Sequence, residues 1–159
     1  MKIKNSQKGQ SLIEVLIALA AAVAVVAAIA VTVVTSLSNV DFTKNQNLAT
    51  QYSGEGLAVI RQLAKNNWTN FTSTYQAPNY CLDKAGVLTV MQGLECNQNV
   101  GIFKRQIILK QDDMTECSSN LKIESKVFWS DSRCLEGEVF CHDVSLESCL
   151  ADINTIKAL

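Results

Sequence analysis

Hydrophobic and polar positions fall into three regimes along the chain. Residues 15–34 are apolar at every position but one: eight Ala, seven Val, two Leu and two Ile, with Thr32 the exception. As a helix rising ~1.5 Å per residue, twenty residues cover about 30 Å, the thickness of a bilayer's hydrocarbon core. This run predicts a membrane-spanning helix. Beyond it the apolar positions thin to steps of three and four, with Leu48, Tyr52, Gly56, Val59, Ile60 and Leu63 on one stripe opposite Asn45, Gln51, Glu55 and Arg61. Neither Pro nor Gly occurs between Gln10 and Gly54, so both regimes belong to one helix, which ends at Asn66-Asn67-Trp68. Its first half meets lipid or other helices; its second half lies on a folded domain. Gly54 and Gly56 each cost about 1 kcal/mol against Ala in a helix, which marks either a close contact or tolerated surface glycine.

The third regime has a period of two. Residues 67–101 form an irregular connection that holds the single proline, Pro78, and a short strand at Val87 to Met91. Phe103 to Leu109 places Phe103, Ile107 and Leu109 on one face. Leu121 to Trp129 alternates Leu121, Ile123, Val127 and Trp129 with Lys122, Glu124 and Lys126, and Val139 to Leu146 offers Phe140, Val144 and Leu146. The links, Gln111 to Asn120 and Ser130 to Gly137, are polar. The expected fold is α+β: one long N-terminal helix, apolar then amphipathic, packed on a small antiparallel sheet. The segments are a 1–9 leader, a 10–37 apolar helix, its 38–66 amphipathic continuation and a 67–159 globular domain.

Cysteine usage adds a redox compartment. All six Cys lie at or beyond position 81, an even count in a small domain outside the membrane run, which reads as three disulfides. If Leu121 to Trp129 and Val139 to Leu146 pair about the turn near Ser132 to Gly137, opposed residue numbers total about 266 to 270. That brings Cys117 to Cys149 at the open end of the hairpin, leaves Cys134 with Cys141 at the turn and Cys81 with Cys96 across the long connection. Zinc ligation is disfavoured, because the closest spacings, Cys134 to Cys141 and Cys141 to Cys149, exceed the usual two to four residues.

Charge sets the direction of insertion. Lys2, Lys4 and Lys8 precede the apolar run and no Lys or Arg follows until Lys44, which predicts a cytoplasmic N-terminus and an extracytoplasmic domain. Without those three Lys the chain has 11 basic against 15 acidic residues, so no surplus of positive charge points to nucleic acid. Glu14 is the anomaly. A carboxylate on an apolar helix costs on the order of a few kcal/mol in a bilayer, which makes it a functional candidate in need of a partner. Cleavage after Gly9 would supply one: the new α-amino group of Gln10 lies four residues, one helical turn, before Glu14.

The run Lys8-Gly9-Gln10-Ser11-Leu12-Ile13-Glu14, followed by an apolar helix, resembles the processing motif of type IV prepilins and pseudopilins. Gln10 stands where that family usually has Phe or another apolar residue. The resemblance implies cleavage after Gly9 by a prepilin peptidase, N-methylation of Gln10, and a role for Glu14 in setting subunit register within a filament. It also implies other pilin subunits and an inner-membrane assembly machinery as partners, a pilin fold, and a pilus or short pseudopilus as the destination. More loosely, the strand order through Arg105, Val127-Phe128-Trp129 and Val139 to Leu146 is similar to that of V- and I-type minor pilins and pseudopilins. A secretory signal peptide cut after Ala20 or Ala30 is the competing reading, but its apolar core usually runs about 7–15 residues. The functional alternative is an anchored, disulfide-stapled ectodomain that binds a ligand and never polymerises; that protein has no use for Gly9 or Glu14.

Nothing in the sequence indicates a catalyst, a cofactor or a metal. Cys141 and His142 are adjacent on an expected strand and so point to opposite faces, which separates a nucleophile from its base. Asp112, Asp113 and Glu116 lack the alternation and glycine of a calcium loop. Two glycosylation sequons, at Asn67 and Asn70, are short enough to arise by chance.

Overall fold

The computed structural model describes residues 10–93, 95–111, 117 and 121–152. The leader, including Gly9, and the acidic residues Asp112, Asp113 and Glu116 lie outside the described residues, as does the side chain of Gln10. The elements run α1 (Gln10–Asn66), α2 (Trp68–Thr74), β1 (Asn79–Leu82), β2 (Leu88–Val90), β3 (Lys104–Gln111), β4 (Leu121–Trp129) and β5 (His142–Leu150). The chain divides into two units, Met1–Asp41 and Phe42–Leu159.

In the first unit α1 is apolar all round over residues 15–34, Thr32 apart. Every side chain described from Leu12 to Leu37 is exposed, and the helix is long and apolar enough, by length and composition, to cross a membrane. The hydroxyls of Thr32 and Thr35 donate to Ile29 O and to Val31 O and Thr32 O, so even these two polar groups are satisfied within the helix.

In the second unit the amphipathic part of α1 lies on one five-stranded sheet of order β2-β1-β3-β4-β5, antiparallel at every pairing. The period of two in β4 is realised directly, with Ile123, Ser125, Val127 and Trp129 buried on the helix side. Ile107 and Leu109 of β3 join Leu57, Ile60 and Ala64 of α1 in one core cluster. Ala49 packs with Phe103, Val127 and Trp129 in another. Burying the larger of these side chains, each contributing on the order of 1.5–3 kcal/mol, stabilises the pairing of helix and sheet.

Between the two clusters the helix approaches closely, because the residues facing each other are small. Ser53 Oγ donates to Ser125 O at 2.6 Å. A Cβ built on Gly56 would stand 2.5 Å from Ser125 Oγ and 3.1 Å from Ile107 Cδ1, whereas one on Gly54 would meet nothing within 4 Å. Of the two readings open for these glycines, Gly56 is the close contact and Gly54 the tolerated one. Gly56→Val should therefore cost about 1–3 kcal/mol by overpacking. Gly54→Ala should gain up to about 1 kcal/mol from helix propensity. Thermal unfolding of the two detergent-solubilised variants checks this; equal effects would contradict the close approach at Gly56.

Four details depart from the sequence reading. The connection after α1 is not irregular throughout, for it forms α2 and β1. Asn67 caps α2, its side chain accepting from Asn70 N, and Phe71 is buried beneath it. β3 begins and ends later than expected, at Lys104 and Gln111, because Phe103 instead closes a small bridge with Val100. β5 starts at His142 rather than Val139, since the Cys134–Cys141 disulfide closes residues 134–141 into a loop, with Gly137 at φ 98° in its turn. The hairpin register, Leu121 opposite Leu150 through Trp129 opposite His142, consequently totals 271, just beyond the expected range.

Candidate functional site

The N-terminal candidates share one helix. Gln10 opens the described part of α1, and Glu14 follows four residues later with its side chain exposed among Leu12, Ile13, Val15 and Leu16, all exposed apolar residues. Four residues is one turn, so backbone atoms of Gln10 and the carboxylate of Glu14 share a helix face.

The six cysteines form Cys81–Cys96, Cys117–Cys149 and Cys134–Cys141, with Cα separations of 5.6, 5.5 and 5.5 Å. These are the three pairs given by the hairpin argument, although the register differs from the one assumed. Cys149 belongs to β5, where Lys122 is its partner across the ladder, so Cys117 meets it from beyond the end of β4.

A buried arginine that the sequence reading passed over ties the second unit together. Arg105 is 2% exposed. Its Nε donates to Leu82 O at 3.2 Å, Nη1 to Tyr52 O at 3.1 Å and Nη2 to Asp83 O, while Glu55 stands 3.7 Å from Nη1. Its backbone is clamped as well: Asn99 accepts from Arg105 N and donates to Arg105 O. One guanidinium thus joins helix, β1 and β3, a task suited to its planar fork of five donors. Burial lowers its pKa from the ordinary value, and the charges of Glu55 and Asp83 oppose that shift. Beside it, Lys104 is buried on the other sheet face, paired with Glu95 at 2.7 Å and lying over the rings of Phe128 and Phe140. In sequence both are ordinary basic residues at the start of a strand, and no periodicity flags them.

The adjacent pair Cys141 and His142 corrects a further expectation. Because β5 begins at His142, alternation does not apply across the pair, and Asp131, Cys134, Cys141 and His142 offer ligand-type atoms all within 4.8 Å of one another. His142 Nε2 lies 3.1 Å from Asp131 Oδ1, which also accepts from Arg133 N at 2.8 Å. Burial alone would raise the Asp131 carboxyl; the Arg133 and His142 hydrogen bonds and charges outweigh it and hold the pKa below its ordinary value. The imidazole stands against Phe42 and Trp129, with ring centroids 5.1 and 5.3 Å away. At the sequons, Asn67 caps α2 and Asn70 Oδ1 accepts from Thr74, so both side chains have local structural partners.

No family model matches the chain, and neither a curated protein nor a solved structure does.

Proposed function

We propose that this chain is a prepilin-like structural subunit, held in the membrane by the apolar half of α1, cut after Gly9 and polymerised through that helix into a type IV pilus-like filament. The observation that carries the reading is Glu14, the one charged residue in the 10–40 stretch of α1, one turn from the residue that cleavage would make the N-terminus. Its cost in an apolar environment is offset by a positive partner, and the freed amine of Gln10, in the same subunit or a neighbour, supplies one. The Ala/Val surface of residues 15–34 supports close helix packing in the filament, since small side chains let helices approach. The amphipathic half of α1 on a disulfide-stapled antiparallel sheet fits a pilin-like layout, with domains outside and helices within. Partners are then other pilin subunits, the prepilin peptidase and the membrane assembly machinery.

Gly9→Val tests the processing step. A peptidase pocket shaped for a residue without a side chain rejects a branched one, so the full 159-residue form should accumulate in the membrane and no filament should form. A variant that still yields a subunit starting at Gln10 would contradict the proposed site. An unprocessed chain that keeps full ligand-binding activity at the cell surface would instead favour the anchored, non-polymerising ectodomain.

A further inference from the structure

We propose that Asp131, Cys134, Cys141 and His142 form a redox-gated zinc site, closed while the Cys134–Cys141 disulfide is intact and opened by its reduction. The donor set is two thiolates, one imidazole nitrogen and one carboxylate oxygen. That borderline-soft combination suits Zn²⁺, and four protein ligands fill its tetrahedral shell. The four ligand atoms already converge within 4.8 Å from two short stretches, Asp131 to Cys134 and Cys141 to His142. The structure thereby assembles what the spacing alone disfavours.

The hard half of the site is close to metal-ready. His142 Nε2 and Asp131 Oδ1 are 3.1 Å apart. Two ligands at about 2.0–2.1 Å from one ion and 3.1 Å from each other subtend about 98°, near the tetrahedral angle, so the separation already suits zinc, and each ligand direction turns by about 40° from the line of the hydrogen bond to meet it. The second lone pair of Oδ1 stays with Arg133 N, which fixes the carboxylate, and Phe42 and Trp129 wall in the imidazole. The soft half must open. Bonded sulfurs have to part to about 3.8 Å to share a zinc at ~2.3 Å each. With the Cys134 and Cys141 Cα atoms 5.5 Å apart, rotation about each Cα–Cβ bond supplies that separation. Access exists, since all four residues are partly exposed.

The chemistry balances with a small-molecule dithiol as reductant. Its two thiols are oxidised to a disulfide, the Cys134–Cys141 bond breaks, and both cysteines leave as thiols. Zinc binding then forms two Zn–S bonds, one Zn–N bond and one Zn–O bond; the two thiol protons go to solvent, and the proton between His142 Nε2 and Asp131 Oδ1 leaves through solvent, with Nδ1 carrying the proton of the neutral ring. In an oxidising compartment the pair remains a disulfide and the site is shut; under reducing conditions zinc competes with reoxidation.

Two measurements on the full chain in detergent test this. Cobalt(II) added to the dithiol-reduced protein should give the visible absorption of a tetrahedral cobalt thiolate, bleached by zinc. Cys134→Ser/Cys141→Ser should abolish it, Cys81→Ser/Cys96→Ser should retain it, and His142→Asn or Asp131→Asn should weaken affinity tenfold or more. Because reduction of all three disulfides can loosen the fold, midpoint potentials are also read pair by pair through thiol tagging and peptide mapping. Zinc at 100 times its Kd should favour the Cys134/Cys141 dithiol about 100-fold, which raises that midpoint by about 59 mV and leaves the other two pairs unmoved. Absence of the cobalt band, its survival in the Cys134→Ser/Cys141→Ser variant, or a zinc effect that is nil or equal at all three pairs would overturn the proposal.

Discussion

Glu14→Val is expected to leave the chain inserted and cleaved while reducing filament yield by at least an order of magnitude. The substitution removes a costly carboxylate from an apolar helix, so membrane insertion should if anything improve. Assembly, however, loses the one polar contact able to fix axial register, since the surrounding surface from Val15 to Val34 is nearly uniform Ala and Val and gives similar packing at many offsets. Quantifying sheared filaments against membrane-held mature subunit separates the two effects. A normal yield would make Glu14 a bystander. Glu14→Gln refines the test: it keeps hydrogen bonding without charge, so a defect shared by both variants assigns the role to the charge itself.

Arg105→Met should destabilise the second unit by about 3–5 kcal/mol. Met leaves three carbonyl acceptors without their donor, each costing about 1–3 kcal/mol where buried, whereas the half-exposed Glu55 is hydrated in its absence. Here the carbonyls of Leu82, Asp83 and Tyr52 lose a charged donor in a setting where Arg105 itself is 2% exposed. Arg105→Lys should recover less than half, because a single ammonium cannot reach three carbonyls with the geometry of a guanidinium fork. Denaturant unfolding with the disulfides intact measures the difference. A loss below about 1 kcal/mol for Arg105→Met would mean that this cluster does not hold helix, β1 and β3 together.

What the sequence made legible follows from the length scale of each signal. Helix α1 was readable because twenty apolar residues and then a stripe from Leu48 to Leu63 repeat one period over many turns, and its end at Asn66 is where two Asn interrupt the stripe. Strand β4 was readable from nine alternating residues. Helix α2 was not, since its seven residues include three Thr, one Ser and one Asn, poor helix formers; the Asn67 cap and the burial of Phe71 hold it, and only the latter is tertiary. Strand β1 has four residues immediately after Pro78, too short for a periodic pattern to emerge. The disulfide pairs emerged from hairpin arithmetic despite a shifted register, because each pair needs only proximity. Arg105 and the Asp131, Cys134, Cys141, His142 cluster were illegible for a common reason. Their meaning arises from residues on separate segments, and for the cluster from the point where β5 begins, a boundary fixed by the 134–141 disulfide loop rather than by any local preference.

The most direct test of the central proposal is the mass of the mature N-terminal peptide taken from membranes and from sheared surface material. Both should begin at Gln10, the residue one turn ahead of Glu14 on α1, and the surface material should contain no chain retaining Met1 to Gly9. A start at Met1 in assembled material, or a start after Ala20 that removes Glu14 altogether, would contradict it.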